Sequence, residues 1–79
     1  MQTIFRNHFA MIEVFKTNVH QEKQAKALVA LMRRHFPKRR INFDLDDCDK
    51  ILRIEGPEFV PEKVRTFIVN MGFDCDVLE

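Results

Sequence analysis

The chain is poor in the residues that build flexible linkers, disulfide frameworks and phosphate-binding loops. Its 79 residues include only two glycines, three prolines and two cysteines. So few glycines and prolines leave no low-complexity linker and no glycine-rich phosphate loop. Two cysteines are too few to staple a small secreted domain, so we expect reduced thiols and a cytoplasmic location.

Long apolar runs and an excess of charge of one sign are also missing. No segment approaches the roughly 18 apolar residues of a membrane helix, and the first ten residues lack the apolar run of a signal peptide. The 13 basic and 12 acidic residues give a formal charge of +1. We therefore expect no membrane partner, and net charge gives no reason to expect nucleic acid.

What remains is the composition of a folded domain. Hydrophobic residues make up 46% of the chain and charged residues 32%, which is typical of globular proteins. Residues 1–10 follow neither the helical nor the strand period. We expect them to form a loosely ordered N-terminal extension, followed by a single domain over residues 11–79.

Hydrophobic periodicity predicts strands and helices in the order β-α-β-β-α-β. The strands are predicted over residues 11–17, 41–45, 52–55 and 73–78, and the helices over residues 21–36 and 61–71. Each strand has one apolar face, so both helices must cover the same side of the sheet. We predict an α+β, ferredoxin-like sandwich with a four-stranded antiparallel sheet in spatial order 4-1-3-2.

Local signals mark the ends of both helices. Asn18, followed by Gln21, is typical of a helix N-cap, while Pro61 and Gly72 are typical of a helix start and end. The predicted buried stripes are Ala25, Leu28, Val29, Met32 and Phe36 in the first helix, and Val64, Phe67, Ile68 and Met71 in the second.

The sheet face that the helices leave open is the predicted interaction surface. In strand one, Ile12 and Val14 alternate with Glu13. We expect the open face to carry Glu13, Phe15, Ile51 and Arg53. An RNA-recognition sheet would carry several stacking aromatic residues there, and only Phe15 qualifies. A protein partner is therefore expected rather than nucleic acid, and a second copy of the chain is one candidate.

One end of the sheet gathers residue types that bind divalent metals. Three predicted connections meet there and bring His20, Asp46, Asp47, Cys48 and Asp49 to that end, with Cys75 as a further candidate. Zinc accepts all three residue types, but the spacing matches no compact zinc motif. The alternative interpretation is a solvated hairpin turn. Cys75 is in phase with Phe73 and Val77, so we expect it in the core and not in a disulfide with Cys48.

A basic segment, Arg33–Arg40, is predicted at the opposite end of the sheet. It holds six basic residues in eight when His35 is counted. Such a segment could bind an anion, either a nucleic-acid phosphate or an acidic protein. The alternative interpretation is the last turn of a helix, where cations are favoured, followed by a solvated loop.

Several residues resemble the heavy-metal-associated domain of copper chaperones and metal-transporting ATPases. Leu28 and Met32 occupy apolar positions that the family has after its metal loop. The second half is also similar, in the stretches Leu52–Gly56, Pro61–Val64 and Met71–Phe73. The resemblance covers about residues 11–79 and implies the same βαββαβ fold.

The family's metal loop, Gly-Met-x-Cys-x-x-Cys, is absent. Gln21 and Gln24 stand where its two cysteines would be, and a carboxamide is a poor ligand for Cu(I), which prefers thiolates. The resemblance therefore implies no metal, cofactor-binding or catalytic residue. The chain also lacks a nucleophile beside a base and paired buried carboxylates. The sequence predicts a non-enzymatic interaction or regulatory module, with a metal binder or an anion binder as alternatives.

Overall fold

A computed structural model of the chain describes residues 11–79. The elements are β1 (Met11–Thr17), α1 (Glu22–His35), β2 (Arg40–Asp44), β3 (Ile51–Gly56), α2 (Pro61–Asn70) and β4 (Cys75–Val77). Their order is the predicted one. The prediction of a loosely ordered extension concerns residues 1–10, which lie outside the described residues. Neither α1 nor α2 is long and apolar enough to cross a membrane.

All strand pairs of the sheet are antiparallel, and the strands lie in the order β2-β3-β1-β4. This is the predicted order read from the opposite edge. β1 and β3 form the centre, and β2 and β4 form the two edges. The structure thus confirms a small α+β fold with four antiparallel strands and two helices.

One core cluster joins the two helices to one face of the sheet. Its fully buried large side chains include Phe15, Met32, Leu52, Ile54 and Ile68. The predicted helical stripes are confirmed where Ala25, Leu28, Met32, Val64 and Ile68 are buried. Met71 is an exception at 43% exposure, because α2 ends at Asn70 and Met71 lies on its cap. Gly72 follows in the left-handed conformation, with φ of 97°, as expected after a helix end.

The structure corrects the phase of β1. Phe15 pairs with Leu52, and Glu13 pairs with Ile54. Residues directly opposite each other in an antiparallel pair share a face, so Phe15 and Glu13 lie on the helix-covered side. The prediction that they lie on the open face is wrong, and Phe15 is fully buried.

Both phases of β1 contain apolar residues, so alternation alone does not decide its orientation. Burying the large ring of Phe15 removes more apolar surface from water than burying Val14. Thr17 is buried in the same phase, and its hydroxyl donates to the Lys50 carbonyl at 2.6 Å. Ile12 consequently faces outward and is 56% exposed.

The entry to α1 also differs from prediction. Gln21 is the N-cap of α1, and its side chain makes no capping hydrogen bond. Asn18 instead accepts a hydrogen bond from the Asp74 backbone N–H at 2.8 Å. The amide of Asn18 also donates to the Asp74 carboxylate at 3.3 Å. Asn18 therefore connects the β1–α1 loop to the residues that precede β4.

Candidate interaction surface

One candidate interaction surface lies along the outer side of β2. A groove of about 460 Å³ runs between this edge strand and α1. Its apolar lining consists of Ala25, Val29, Ala30, Ile41, Phe43 and Leu45. We call β2 and the side of α1 that lines this groove the β2 edge. Within residues 11–79, β2 pairs with β3 alone, so the backbone groups on its outer side have no strand partner.

The β2 edge is charged in opposite senses at its two ends. Asp44 lies at the hairpin-turn end of β2, whereas Arg40 lies at the other end. α1 runs in the opposite direction to β2, since it begins after the end of β1 that bonds to the hairpin turn. Glu22 therefore lies near the acidic end and Arg33 near the basic end, and all four residues are exposed.

These charges have few partners within the described part of the chain. Asp44, Glu22 and Arg33 form no ion pair among residues 11–79. Arg40 is 4.0 Å from Glu55, and its side chain is 79% exposed. At that exposure and distance the pair is weak, so the Arg40 guanidinium can contact another carboxylate.

The charged side chains on the open face of the sheet have a closer partner than those of the β2 edge. Its apolar members, Ile12, Val14 and Ile51, alternate across the strands with polar residues. Arg53 donates to Glu55 on the same face at 3.0 Å. The predicted interaction surface therefore carries Ile51 and Arg53 as expected, but an ion pair divides it.

The predicted metal-binding end is only partly assembled. Ligand atoms of Asp47, Cys48 and Asp49 lie within 4.8 Å of one another, and no other set of three or more is found in residues 11–79. His20 is not part of it, since its Nδ1 lies 3.2 Å from the Asn18 carbonyl. Asp47 accepts a hydrogen bond from the Asp49 backbone N–H at 2.8 Å. That bond is typical of an Asx turn, so turn formation explains Asp47.

Within the basic segment, one arginine has a structural role that its charge does not reveal. Arg39 donates to the carbonyls of Pro57 and Pro37, each at 2.9 Å, and to that of Glu58. Its guanidinium carbon also lies 5.8 Å from the centre of the Phe59 ring. Arg39 thus ties the entry of β2 to the loop before α2. Because its acceptors are backbone carbonyls, no sequence signal could have indicated this role.

Gly56 completes the same junction. Its φ is +144°, and a Cβ there would lie 3.0 Å from both the Lys38 carbonyl oxygen and Arg39 Cγ. Any side chain would therefore push the β2 entry away from the end of β3. Two further basic side chains of the segment, Arg34 and Lys38, are exposed and form no ion pair within residues 11–79.

The two glutamines at the family's cysteine positions lie at the start of α1. Gln21 is exposed, whereas Gln24 is half-buried. The Oε1 atom of Gln24 is buried and has no hydrogen-bond partner within the described residues. An unpaired buried carbonyl costs stability, so Gln24 does not contribute a favourable polar contact at this position.

Both cysteines are free. Cys48 is exposed, and Cys75 is 2% exposed within the core. Burial and then the neighbouring Asp76 carboxylate raise the pKa of the Cys75 thiol from 9.0 to about 12. A protonated buried thiol is a poor nucleophile and metal ligand, so Cys75 packs in the core, as predicted.

Sequence reasoning missed the β2 edge, although part of its signal was visible. The segment Arg40–Asp44 begins with a base, ends with an acid and places two apolar residues between them. The predicted strand order already places β2 at an edge, but the sequence did not show that an apolar groove lies between β2 and α1. Comparison with protein-family models, curated proteins and solved structures finds no match to this chain.

Proposed function

We propose that this chain is a non-enzymatic interaction module with ferredoxin-like architecture that binds a protein segment along the β2 edge. The observation that carries the proposal is the coincidence of three features at one place. An edge strand with unpartnered backbone groups, an apolar groove and charges with no close ion-pair partner all lie there within residues 11–79. Edge strands are usually shielded against such pairing.

The surface favours an extended segment that adds a strand to the sheet. Main-chain hydrogen bonds to β2 would supply affinity, and alternate side chains would enter the groove. Charge sets the preferred order of the segment. An acidic residue belongs opposite Arg40 and a basic residue belongs opposite Asp44, both on the open face of the sheet. Glu22 and Arg33 border the groove on the helix-covered face.

A synthetic peptide tests this proposal directly. The probe is an extended five-residue peptide with lysine first, valine at alternate positions facing the groove and glutamate last. In antiparallel orientation its lysine lies opposite Asp44 and its glutamate opposite Arg40. We expect NMR chemical-shift changes in the isotopically labelled protein at β2 and α1, but not at β4.

The matched control is the same peptide with proline at its centre, which removes a main-chain donor. It should bind more weakly by the same measurement. If neither peptide shifts the amides of β2 at millimolar concentration, or if both act equally, strand addition at the β2 edge is not the function of this surface.

We also propose that the chain is a heavy-metal-associated-like domain without the thiolate pair. The support is the βαββαβ order together with the apolar positions that follow Gln21 and Gln24. A Gln21→Cys, Gln24→Cys variant should gain tight Cu(I) binding. A Gln21→Cys, Lys23→Cys variant is the control, since the family's cysteines are three residues apart. Equal Cu(I) affinity in the two variants would contradict the resemblance.

A further inference from the structure

We infer that the occupant of the β2 edge is a second copy of this chain, paired strand to strand about a two-fold axis at Asn42. The inference rests on the proposed function and identifies its partner. It comes from the self-complementary order of charge and apolar side chains along β2, and not from exposure alone.

The register follows from charge. When two copies of β2 run antiparallel with Asn42 opposite Asn42, Arg40 of each copy lies opposite Asp44 of the other. Opposite charges in directly facing positions stabilise a strand pair, and like charges destabilise it. Ile41 of each copy then lies opposite Phe43 of the other. A two-fold axis makes each contact twice, as in most homodimers.

The helices support the same arrangement. Facing residues share a face of the sheet, so the two copies of α1 lie on the same side of the extended sheet. They also run antiparallel across the axis. Glu22 near the start of one α1 then approaches Arg33 near the end of the other, and the exposed Lys26 and Ala30 lie between them. Each groove is closed by the other copy's helix and strand.

The other surfaces of the described chain fit a second copy less well. β4 has three residues, and its Asp76 already pairs with Arg65 at 3.4 Å. On the open face, the Arg53–Glu55 pair interrupts the apolar residues. Of these three surfaces, only the β2 edge combines an apolar centre with opposite charges that have no close ion-pair partner.

Charge reversal tests the inference on the full chain. The Arg40→Asp variant creates two facing acid pairs in the dimer, and the Asp44→Arg variant creates two facing basic pairs. By sedimentation equilibrium at low salt, each variant should dimerise at least about tenfold more weakly than the wild type. An equimolar mixture should recover a heterodimer, because every facing pair is then opposite in charge.

Matched controls place the same charge changes elsewhere. Lys16→Asp on β1 and Asp76→Arg on β4 should leave the dimer dissociation constant within about twofold of the wild type. Far-UV circular dichroism verifies that each variant is folded. Recovery in the mixture excludes misfolding as the cause of dissociation, since misfolded chains would not pair on mixing.

Four results would overturn the inference. The wild type could remain monomeric at millimolar concentration, the single variants could dimerise like the wild type, or the mixture could fail to form a heterodimer. As the fourth result, β2 could bind the peptide only after residues 1–10 are deleted. That result would assign the edge to the chain's own N-terminal segment. A monomer that still binds the peptide refutes the second copy but preserves the proposed function; a monomer that binds no peptide refutes both.

Discussion

The two edge strands of the sheet differ in how their charges are satisfied. At β4, Asp76 pairs with Arg65, which also contacts Glu62 at 3.1 Å, so the charge on this strand has an ion-pair partner within the fold. At β2, Arg40 is 4.0 Å from Glu55, and Asp44 forms no ion pair within the described residues. β4 also has only three residues, compared with five in β2.

This difference indicates which edge is built to end the sheet and which to extend it. A short strand with internally paired charges is one of the ways in which proteins protect a sheet edge. A longer strand beside an apolar groove offers both backbone and side-chain contacts to a partner. We therefore expect a partner to pair with β2 rather than with β4.

Truncating one apolar side chain on each edge should give the largest contrast in stability. Ile41 on β2 is 4% exposed, whereas Val77 on β4 is 37% exposed. Ile41→Ala should lower the free energy of unfolding by about 2–5 kcal/mol through lost burial and a cavity. Val77→Ala should cost less than about 1 kcal/mol. Urea denaturation at low protein concentration measures both, and equal losses would show that β2 is not anchored in the core as described.

Cys75, the buried residue of β4, should make the free energy of unfolding depend on pH in the alkaline range. Since the pKa of Cys75 is raised to about 12 in the folded chain, the unfolded chain loses this proton at lower pH. The free energy of unfolding therefore falls as pH rises above about 9, the ordinary thiol value. Urea denaturation across this range should show a smaller fall for Cys75→Ala, while Cys48→Ala keeps the wild-type slope.

Counting the reactive thiols tests whether Cys75 is buried. The native chain should show one reactive thiol, Cys48, and the denatured chain should show two. Two reactive thiols in the native chain would disprove the burial of Cys75. No reactive thiol after denaturation without reductant would indicate a disulfide and contradict the topology.

The tether between the β1–α1 loop and β4 should have a smaller effect. Asn18→Ala removes the hydrogen bonds to Asp74, both of which are exposed. We expect a loss of about 0.5–1.5 kcal/mol and faster amide hydrogen exchange in β4 than in β2. Asn70→Ala, at an exposed asparagine that ends α2, is the matched control. If β2 and β4 exchange faster by the same factor in Asn18→Ala, the tether does not act on the β4 edge specifically.

The sequence predicted the helices better than the strands, for a physical reason. The stripe through Val64 and Ile68 repeats at the helical period and is bounded by Pro61 and Gly72, so one orientation buries it. In β1, apolar residues occupy both phases of the strand, and a shift by one residue reverses the faces. The volume of Phe15 and the hydrogen bond of Thr17 to the hairpin turn decide the phase, and the second is a long-range contact.

The candidate site was predictable only in part. The sequence shows opposite charges at the ends of Arg40–Asp44 and the alternation typical of a strand between them. The predicted strand order also places β2 at an edge, whereas the groove beside it depends on where α1 packs. Arg39 illustrates the same limit, because it bonds to backbone carbonyls that the chain brings together only on folding.

Cross-linking at the proposed two-fold axis tests the central claim most directly. In a Cys48→Ser background, Asn42→Cys places one exposed thiol at the centre of β2 and Asp76→Cys places one on β4. Facing Cα atoms in an antiparallel pair lie about 4.5–5.5 Å apart, within the range of about 4.4–6.8 Å that a disulfide spans. Under mild oxidation, the account predicts rapid formation of a covalent dimer from the Asn42→Cys chain and much slower formation from the Asp76→Cys chain. Equal rates at the two positions, or no covalent dimer through residue 42, would contradict it.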